Sequence, residues 1–296
     1  MFFPLSEGTR ERLVAAGLDP DDVAALVRAA VREDLGGGVD VTSVATVGAD
    51  DVSRATVGAR RPGTVAGVPV GAAVIEAVCG PANVAVDVVA GDGARVGVGD
   101  VVLAIEAPTV ALLTAERSML NLMCHLSGVA TLTRAWADAL EGTRARVRDT
   151  RKTTPGLRAL EKYAVRCGGG ANHRFGLDDA VLIKDNHLVV AGGVAAAVER
   201  ARCFVGHLVK IEVEVATLAQ LDEALAVGVE AVLLDNFDVA KLRGAVVRVA
   251  GRAITEASGG ITLATARAVA DTGVDLLSVG ALTHSAPALD VALDFD

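Results

Sequence analysis

Short apolar runs alternate with helical stretches through the second half of the chain, and this alternation limits the possible folds more than any other feature. The six runs are ARVRD at 145, AVLIK at 180, VKIEVEV at 209, EAVLLD at 230, AITEA at 253 and DLLSV at 275. Strands that alternate with helices are typical of parallel βα units, and about six or seven units in succession predict a barrel. The sites of such barrels lie where the strands end. We therefore expect reactive side chains directly after these runs.

The first part of the chain has a different pattern. Residues 19–35 predict an amphipathic helix with an acidic start, which stops at Gly36. Val- and Gly-rich segments then alternate and turn at Gly, Pro and Asp, as antiparallel strands do. A long helix is predicted from about Thr109 to Leu140, with a break near Ser127 and Gly128. We expect a small α/β sandwich in this region.

Composition and charge exclude several classes of protein. Of 296 residues, 52% are hydrophobic and 22% are charged, a balance that disordered chains and disulfide scaffolds do not have. The net charge of −9 argues against nucleic acid and anionic membranes as partners. No run approaches the roughly 18 apolar residues of a membrane-spanning helix, and the first residues lack the pattern of a signal peptide. We therefore expect a cytoplasmic protein that binds neither nucleic acid nor membrane.

A basic segment stands out in this acidic chain. Nine basic and two acidic residues lie between Arg144 and Arg174. Arg151 and Lys152 follow a predicted strand, and His173 and Arg174 follow a run of glycines. Because arginine binds carboxylates with two parallel hydrogen bonds, this set suits a small molecule with more than one carboxylate, or phosphates. A solvated helix surface remains the alternative.

An acidic set follows in VKIEVEV. Period two places Lys210, Glu212 and Glu214 on one face of this strand, which points into a barrel, while the valines face the helices. Asp235 ends the next strand and can meet Glu214 across the mouth. Two carboxylates beside phosphates are a common Mg²⁺ site. The alternative is a structural network of lysine and glutamate.

Two glycine turns follow the last two predicted strands. Ser258, Gly259 and Gly260 stand before a helix for which Thr262 is the expected N-cap, and Gly280 begins a similar turn one unit later. Free N–H groups at such turns bind phosphate, and barrels commonly hold a phosphate after their last two strands. The alternative is that these glycines only form the loops between strands and helices and bind no ligand.

The chain resembles a known family at the residues that carry this chemistry. The matching strings are EDLGGGVDVTS, AERSMLNLMCHLSGVAT, DTRKTTPGLRALEKYAVRCGGGANHRFGLDDAVLIKDNH, VEVE, LLDNF, EASGGI and VGALTHSAPALD. They resemble the quinolinate phosphoribosyltransferases and extend over nearly the whole chain. The family transfers phosphoribosyl from 5-phosphoribosyl-1-pyrophosphate to quinolinate with decarboxylation, giving nicotinate mononucleotide, pyrophosphate and carbon dioxide for NAD biosynthesis.

The resemblance implies a fold and an assembly. It implies an α/β protein with an N-terminal α/β sandwich (1–116, joined by the tail 285–296) and an open seven-stranded parallel α/β barrel (117–284). It also implies a homodimer in which Arg117 reaches the partner's site. The run of Arg144, Arg146 and Arg148 is a departure from the family pattern, and we expect it to change the surface of the protein and not the reaction.

The resemblance also assigns roles to residues. The pocket for the carboxylates and neighbouring phosphates would consist of Arg151, Lys152, His173, Arg174 and Lys184, together with Arg117 from the partner. The ribose hydroxyls and Mg²⁺, bound directly or through water, would be held by Glu214 and Asp235, with Asn236 adjacent. The phosphate cradle would consist of Ser258, Gly259, Gly260, Gly280 and His284. The catalytic residues among these would be Lys152, Lys184, Glu214 and Asp235.

Three other functions compete with this one. A related phosphoribosyltransferase could act on another acceptor, but a dicarboxylate pocket with Arg117, Arg151, His173 and Arg174 favours quinolinate. A barrel lyase could use Lys184 as a Schiff-base amine. A binding protein without catalysis would not need the whole set of matching residues.

Overall fold

The computed structural model describes residues 2–296, which contain twelve helices and twelve strands. The helices are α1 (Glu7–Ala15), α2 (Pro20–Leu35), α3 (Val41–Thr46), α4 (Val68–Cys79), α5 (Thr109–Ala139), α6 (Arg158–Cys167), α7 (Asp185–Ala191), α8 (Val194–Phe204), α9 (Leu218–Ala226), α10 (Val239–Val249), α11 (Leu263–Ala270) and α12 (Ala281–His284). The strands are β1 (Val52–Ala59), β2 (Gly63–Thr64), β3 (Ala85–Val88), β4 (Arg95–Val96), β5 (Val101–Pro108), β6 (Arg146–Arg148), β7 (Val181–Ile183), β8 (Ile211–Val215), β9 (Ala231–Asp235), β10 (Ile254–Ser258), β11 (Leu276–Ser278) and β12 (Val291–Phe295).

The first of two compact units is built on an antiparallel sheet in the order β12-β1-β5-β3. The last strand of the chain, β12, pairs with β1 from Ala55 opposite Phe295 to Ala59 opposite Val291. Helix α4 is almost entirely buried, including Glu76. The Glu76 carboxylate accepts hydrogen bonds from the side chains of Ser6 (2.8 Å) and Thr9 (2.7 Å), which offsets the cost of burying its charge.

The ends of α2 confirm the helix that the sequence predicts. The Asp19 side chain accepts from the N–H groups of Asp21 and Asp22 at the N-terminus. Gly36 closes the helix with φ +58°, a conformation that glycine adopts without steric cost.

The break that the sequence suggests in the long helix is wrong, because α5 is continuous through Ser127 and Gly128. The Ser127 hydroxyl donates to the carbonyl of Ala66 (3.1 Å) and accepts from the Ala66 N–H (3.0 Å). A Cβ at Gly128 would collide with the carbonyl oxygen of Pro287. Ser127 and Gly128 therefore let the segments at Ala66 and Pro287 pack against the helix, and neither residue interrupts it.

The second unit contains a parallel sheet in the order β6-β11-β10-β9-β8-β7, so all six predicted strands are confirmed. The first strand of this unit, β6, pairs with the last, β11, which is the cyclic order of an α/β barrel. The expected seventh strand is reduced to a single bridge between Arg148 and Ala171. Pairing stops there because the His173 N–H donates to the Asp149 carboxylate instead of to a strand.

The two compact units are each made of separate segments of the chain, and the predicted domain boundaries stay a prediction. The first unit comprises the chain up to Leu132 together with 159–169 and 286–296, and the second comprises 133–158 and 170–285. Contacts of α6 explain why 159–169 belong to the first unit: Glu161 bonds to His125 Nε2 at 2.8 Å, and the Tyr163 hydroxyl donates to Asp92.

Within residues 2–296, no helix combines the length and the apolar character needed to cross a bilayer. The predicted cytoplasmic location stays a prediction.

Candidate active site

The carboxyl ends of the parallel strands in the second unit surround a cavity of about 370 Å³. Its lining consists of Thr150, Arg151, Lys152, His173, Arg174, Leu182, Lys184, Glu214, Leu233, Asp235, Glu256, Ser258 and Ser278. Most of the residues that the sequence singles out therefore meet in one place, although they come from seven separate segments.

One side of the cavity carries two closely placed guanidinium groups. The Nε atoms of Arg151 and Arg174 are both buried and have no hydrogen-bond partner among the described residues. Burial and the charge of Arg151 lower the pKa of Arg174. Because like charges repel and buried donors need acceptors, this side of the cavity is prepared for an anion.

Lys152 lies between the first strand of the unit and the last glycine turn. Its carbonyl accepts a hydrogen bond from the Thr283 hydroxyl at 2.7 Å. A Cβ on Gly280 would lie 3.1 Å from Lys152 Cδ and 3.1 Å from His284 Nε2. Gly280 thus lets the Lys152 and His284 side chains approach each other at the edge of the cavity.

The opposite side of the cavity is acidic. Glu214 lies on β8 and Asp235 ends β9, and Lys184, which follows β7, places its Nζ 3.9 Å from Glu214 Oε2. Burial raises the pKa of Glu214, the charge of Lys184 opposes that rise, and Asp235 adds to it. The two carboxylates are therefore close enough to repel each other, and a cation between them would relieve this repulsion.

The turn after β10 contains two glycines in the left-handed region. Gly259 and Gly260 have φ of +92° and +61°, values that favour glycine. The Asn236 N–H donates to the Ser258 carbonyl at 2.9 Å, and a Cβ on Gly259 would collide with the Asn236 side chain. Asn236 thus packs against the turn and does not line the cavity. Thr262 is the N-cap of α11, as predicted.

His173 lies where the cavity meets the interior of the sheet. Its Nδ1 accepts from the Arg174 N–H at 2.7 Å, so its Nε2 faces two buried carboxylates, Glu212 Oε2 at 3.5 Å and Glu256 Oε1 at 3.6 Å. Burial and the neighbouring Glu256 raise the pKa of Glu212 to about 8. His173 is therefore linked to an acidic network beneath the cavity.

Sequence reasoning missed part of this network. Glu256 is fully buried, bonds to Arg148 and accepts from the Ser278 hydroxyl. The expectation that Arg148 affects only the surface is wrong, because its side chain is 16% exposed, whereas Arg144 is 65% exposed and pairs with Asp275. The alternation of side chains along a strand could have indicated Glu256, because it places Glu256 on the same face of β10 as Ser258.

Arg117 is the one predicted site residue that belongs to the first unit. It lies on α5 and is exposed.

Comparisons with known proteins agree with this geometry. The family model for the N-terminal domain of quinolinate phosphoribosyl transferase matches residues 40–127, and the model for its C-terminal domain matches 129–294. The nicotinate-nucleotide pyrophosphorylase [carboxylating] of Mycobacterium leprae is 51% identical over 271 residues, which are 90% of this chain and 95% of that protein. A mitochondrial quinolinate phosphoribosyltransferase [decarboxylating] of Nicotiana tabacum is 39% identical over 93% of this chain and 82% of its own length.

Solved structures show the same similarity in three dimensions. The nicotinate-nucleotide pyrophosphorylase from Francisella tularensis superposes with a TM-score of 0.89 at 37% identity, covering 93% of this chain and 96% of that one. The family models together span most of the chain, and the relatives are matched over most of their length. The chain therefore belongs to the quinolinate phosphoribosyltransferase family.

Proposed function

We propose that this protein transfers phosphoribosyl from 5-phosphoribosyl-1-pyrophosphate to quinolinate with decarboxylation, giving nicotinate mononucleotide, pyrophosphate and carbon dioxide in NAD biosynthesis. The observation that carries the proposal is one cavity with two unpaired guanidinium Nε atoms on one side and two carboxylates on the other. A dianionic acceptor and a sugar that develops positive charge need these two environments side by side.

In this proposal the basic side binds quinolinate. Arg151 and Arg174 donate to its carboxylates, and His173, Lys152 and Lys184 complete the positive surroundings of the acceptor and the nearby phosphates. Binding in this way holds the ring nitrogen toward the sugar, and positioning of this kind accounts for much of the rate in a reaction without a covalent enzyme intermediate.

The acidic side would hold the ribose. Glu214 and Asp235 bind its hydroxyls and stabilise the positive charge that develops on the sugar as pyrophosphate leaves. The turn at Ser258, Gly259 and Gly260 binds the 5-phosphate through main-chain N–H groups, and the turn at Gly280 adds the His284 side chain.

The donor set also fits Mg²⁺. Glu214 and Asp235 offer carboxylate oxygens, which Mg²⁺ prefers, and the pKa of Glu214 is raised partly by the charge of Asp235. Because Lys184 already lies beside Glu214, we propose that these residues hold the ion in part through water. When bound, Mg²⁺ would neutralise charge on the departing pyrophosphate.

After the transfer, the ribosylated ring nitrogen carries a positive charge. The bond between the ring and the 2-carboxylate then breaks and carbon dioxide leaves. The electron pair of that bond stays on ring C2, where the adjacent positive nitrogen stabilises it, and a proton from solvent then adds to C2 to give nicotinate mononucleotide. The cationic side chains hold the retained 3-carboxylate in place while this happens.

The test is a direct assay. Purified protein is mixed with Mg²⁺, quinolinate and phosphoribosyl pyrophosphate, and nicotinate mononucleotide and carbon dioxide are followed, with nicotinate in place of quinolinate as the control. We expect product with quinolinate and none with nicotinate, and much less product from quinolinate when a chelator removes Mg²⁺. A folded protein that makes no product would contradict the proposal and redirect the search to other acceptors.

We further propose a homodimer in which the exposed Arg117 completes the partner's basic pocket. Arg117→Ala and Arg151→Ala variants are purified, mixed and allowed to exchange subunits. Each hybrid dimer then has one site with both arginines, so random exchange restores about a quarter of wild-type activity. If Arg117 acts within its own chain, or if the protein is monomeric, mixing restores nothing.

A further inference from the structure

The Asp149 carboxylate is fully buried, and both of its oxygens bind the segment that carries His173. Oδ1 accepts from the main-chain N–H of His173 at 2.8 Å, and Oδ2 accepts from the Asn172 side-chain amide at 2.5 Å. Asp149 directly follows β6 and does not line the cavity. The residue therefore acts on the site through its neighbours.

The backbone explains why a carboxylate is needed at this position. The chain pairs with β6 only at Ala171, where the Ala171 N–H donates to the Val147 carbonyl (2.9 Å) and the Asp149 N–H donates to the Ala171 carbonyl (3.1 Å). Beyond Ala171 the segment leaves the sheet and needs another acceptor for the His173 N–H. Asp149 supplies that acceptor.

The segment held in this way carries two of the residues assigned to quinolinate, His173 and Arg174. The His173 Nδ1 accepts from the Arg174 N–H, so the orientations of these two residues are coupled. Arg174 donates from Nη1 to the Ala180 carbonyl at 3.0 Å, which leaves its buried Nε for a ligand. A shift of the His173 main chain would therefore move the imidazole and the guanidinium together.

We propose that Asp149 is a positioning residue for quinolinate, and that it acts by holding His173 and Arg174 through the Asn172–His173 segment. This inference rests on the function proposed above. The hydrogen bonds from Asn172 and His173 tie Asp149 to the segment that carries residues for quinolinate, whereas the phosphate turns follow β10 and β11. Loss of Asp149 is therefore expected to affect one substrate much more than the other.

The test compares KM for each substrate in single variants and in an exchanged pair. In Asp149→Asn, the side-chain amide of the new asparagine faces that of Asn172, so two hydrogen-bond donors oppose each other and the bond is lost. We expect KM for quinolinate to rise roughly tenfold and KM for phosphoribosyl pyrophosphate to stay within about twofold of wild type. Asn172→Ala removes one of the two bonds and should give a smaller rise of the same kind. Asn172→Asp in the Asp149→Asn background restores donor to acceptor, and should return KM for quinolinate toward wild type.

Asp275→Ala is the matched control. Asp275 also accepts from a main-chain N–H (Thr255, 2.8 Å) and a side chain (Thr255 Oγ1, 2.7 Å), but at the other end of the sheet, just before β11. Its loss should lower stability and leave the ratio of the two KM values unchanged.

The outcomes separate the inference from the proposed function. Wild-type protein that makes no product overturns the proposed function and this inference with it. Wild-type turnover with equal changes in both KM values, or without rescue by the exchanged pair, overturns the inference alone. A rise confined to quinolinate, reversed by the exchange, supports it, and the Asn172→Ala variant gives the same comparison if Asp149→Asn does not fold.

Discussion

Lys184 Nζ lies 3.9 Å from Glu214 Oε2, where the ends of β7 and β8 meet at the cavity. This pair connects the basic and acidic sides of the site. It also bears on the lyase alternative, because a Schiff-base lysine is activated by an apolar pocket that removes it from water. The Lys184 side chain is instead 49% exposed and has a carboxylate beside it.

We therefore predict that Lys184 forms no Schiff base. Incubation with small aldehydes and ketones followed by borohydride, with intact-mass measurement and peptide mapping, should show no adduct at Lys184 above the level at Lys241, an exposed lysine on α10. Selective trapping at Lys184 would support the lyase.

The acidic pair should govern turnover. Glu214→Gln and Asp235→Asn keep the shape of each side chain but remove the charge that stabilises the ribose, so kcat should fall by at least about an order of magnitude in each. Asp222→Asn, at an exposed position on α9, is the control. Near wild-type turnover in both site variants would make these carboxylates structural.

Arg151→Lys tests the guanidinium. Lysine keeps the charge but cannot form two parallel hydrogen bonds to a carboxylate, so KM for quinolinate should rise by about tenfold or more. KM for phosphoribosyl pyrophosphate should change much less. Arg146→Lys, exposed on β6 in the same basic segment and outside the cavity, should match wild type. An unchanged affinity for quinolinate would refute the role of Arg151.

Gly280→Ala tests the second glycine turn. The backbone at Gly280 (φ −66°, ψ −30°) accepts alanine without strain, so the only direct effect is the new Cβ at 3.1 Å from Lys152 Cδ and His284 Nε2. We expect these side chains to be displaced and KM for phosphoribosyl pyrophosphate to rise roughly fivefold or more.

Gly244→Ala is the control for that substitution. Gly244 lies within α10 with nothing within 4 Å of a new Cβ. Alanine should stabilise the helix by up to about 1 kcal/mol and leave both KM values unchanged. Equal kinetics for the two variants would show that Gly280 serves only the fold.

Asp92 should make stability depend on pH. Burial raises its pKa from 3.8 to about 6, although main-chain N–H groups of Val68 and Gly67 oppose the rise. The folded protein then binds the proton more tightly than the unfolded chain does, so the free energy of unfolding falls as pH rises from about 4 to about 6. A pKa difference of this size corresponds to at most about 3 kcal/mol.

Urea unfolding across that range measures the effect at a fixed protein concentration. Asp92→Asn should flatten the decline, because asparagine binds no proton, whereas Asp50→Asn, at an exposed turn, should leave it as in wild type. Identical slopes in wild type and Asp92→Asn would contradict the assignment.

Local patterns in the sequence account for most of the elements and for the composition of the site. Apolar runs predicted all six parallel strands, because a strand buried on both faces must be apolar over several residues. Period two correctly put Glu212 and Glu214 on one face of β8, opposite the buried Ile211, Val213 and Val215.

Contacts between distant segments were decided only by the tertiary structure. Gly128 indicated a break when taken alone, but in the fold it makes room for the Pro287 carbonyl, and α5 continues through it. The basic segment predicts a surface position for Arg148, but in the fold its side chain pairs with Glu256, more than a hundred positions along the chain. The resemblance implies a seventh strand, but its pairing with β6 is limited to a bridge at Ala171, because the Asp149 side chain accepts the hydrogen bond of the His173 N–H. Hydrophobic periodicity and secondary-structure propensity depend on residues that are close in the sequence. Whether a charged side chain is buried, or a strand loses a hydrogen bond to its neighbour, depends on residues that are distant in the sequence and come into contact only in the folded chain.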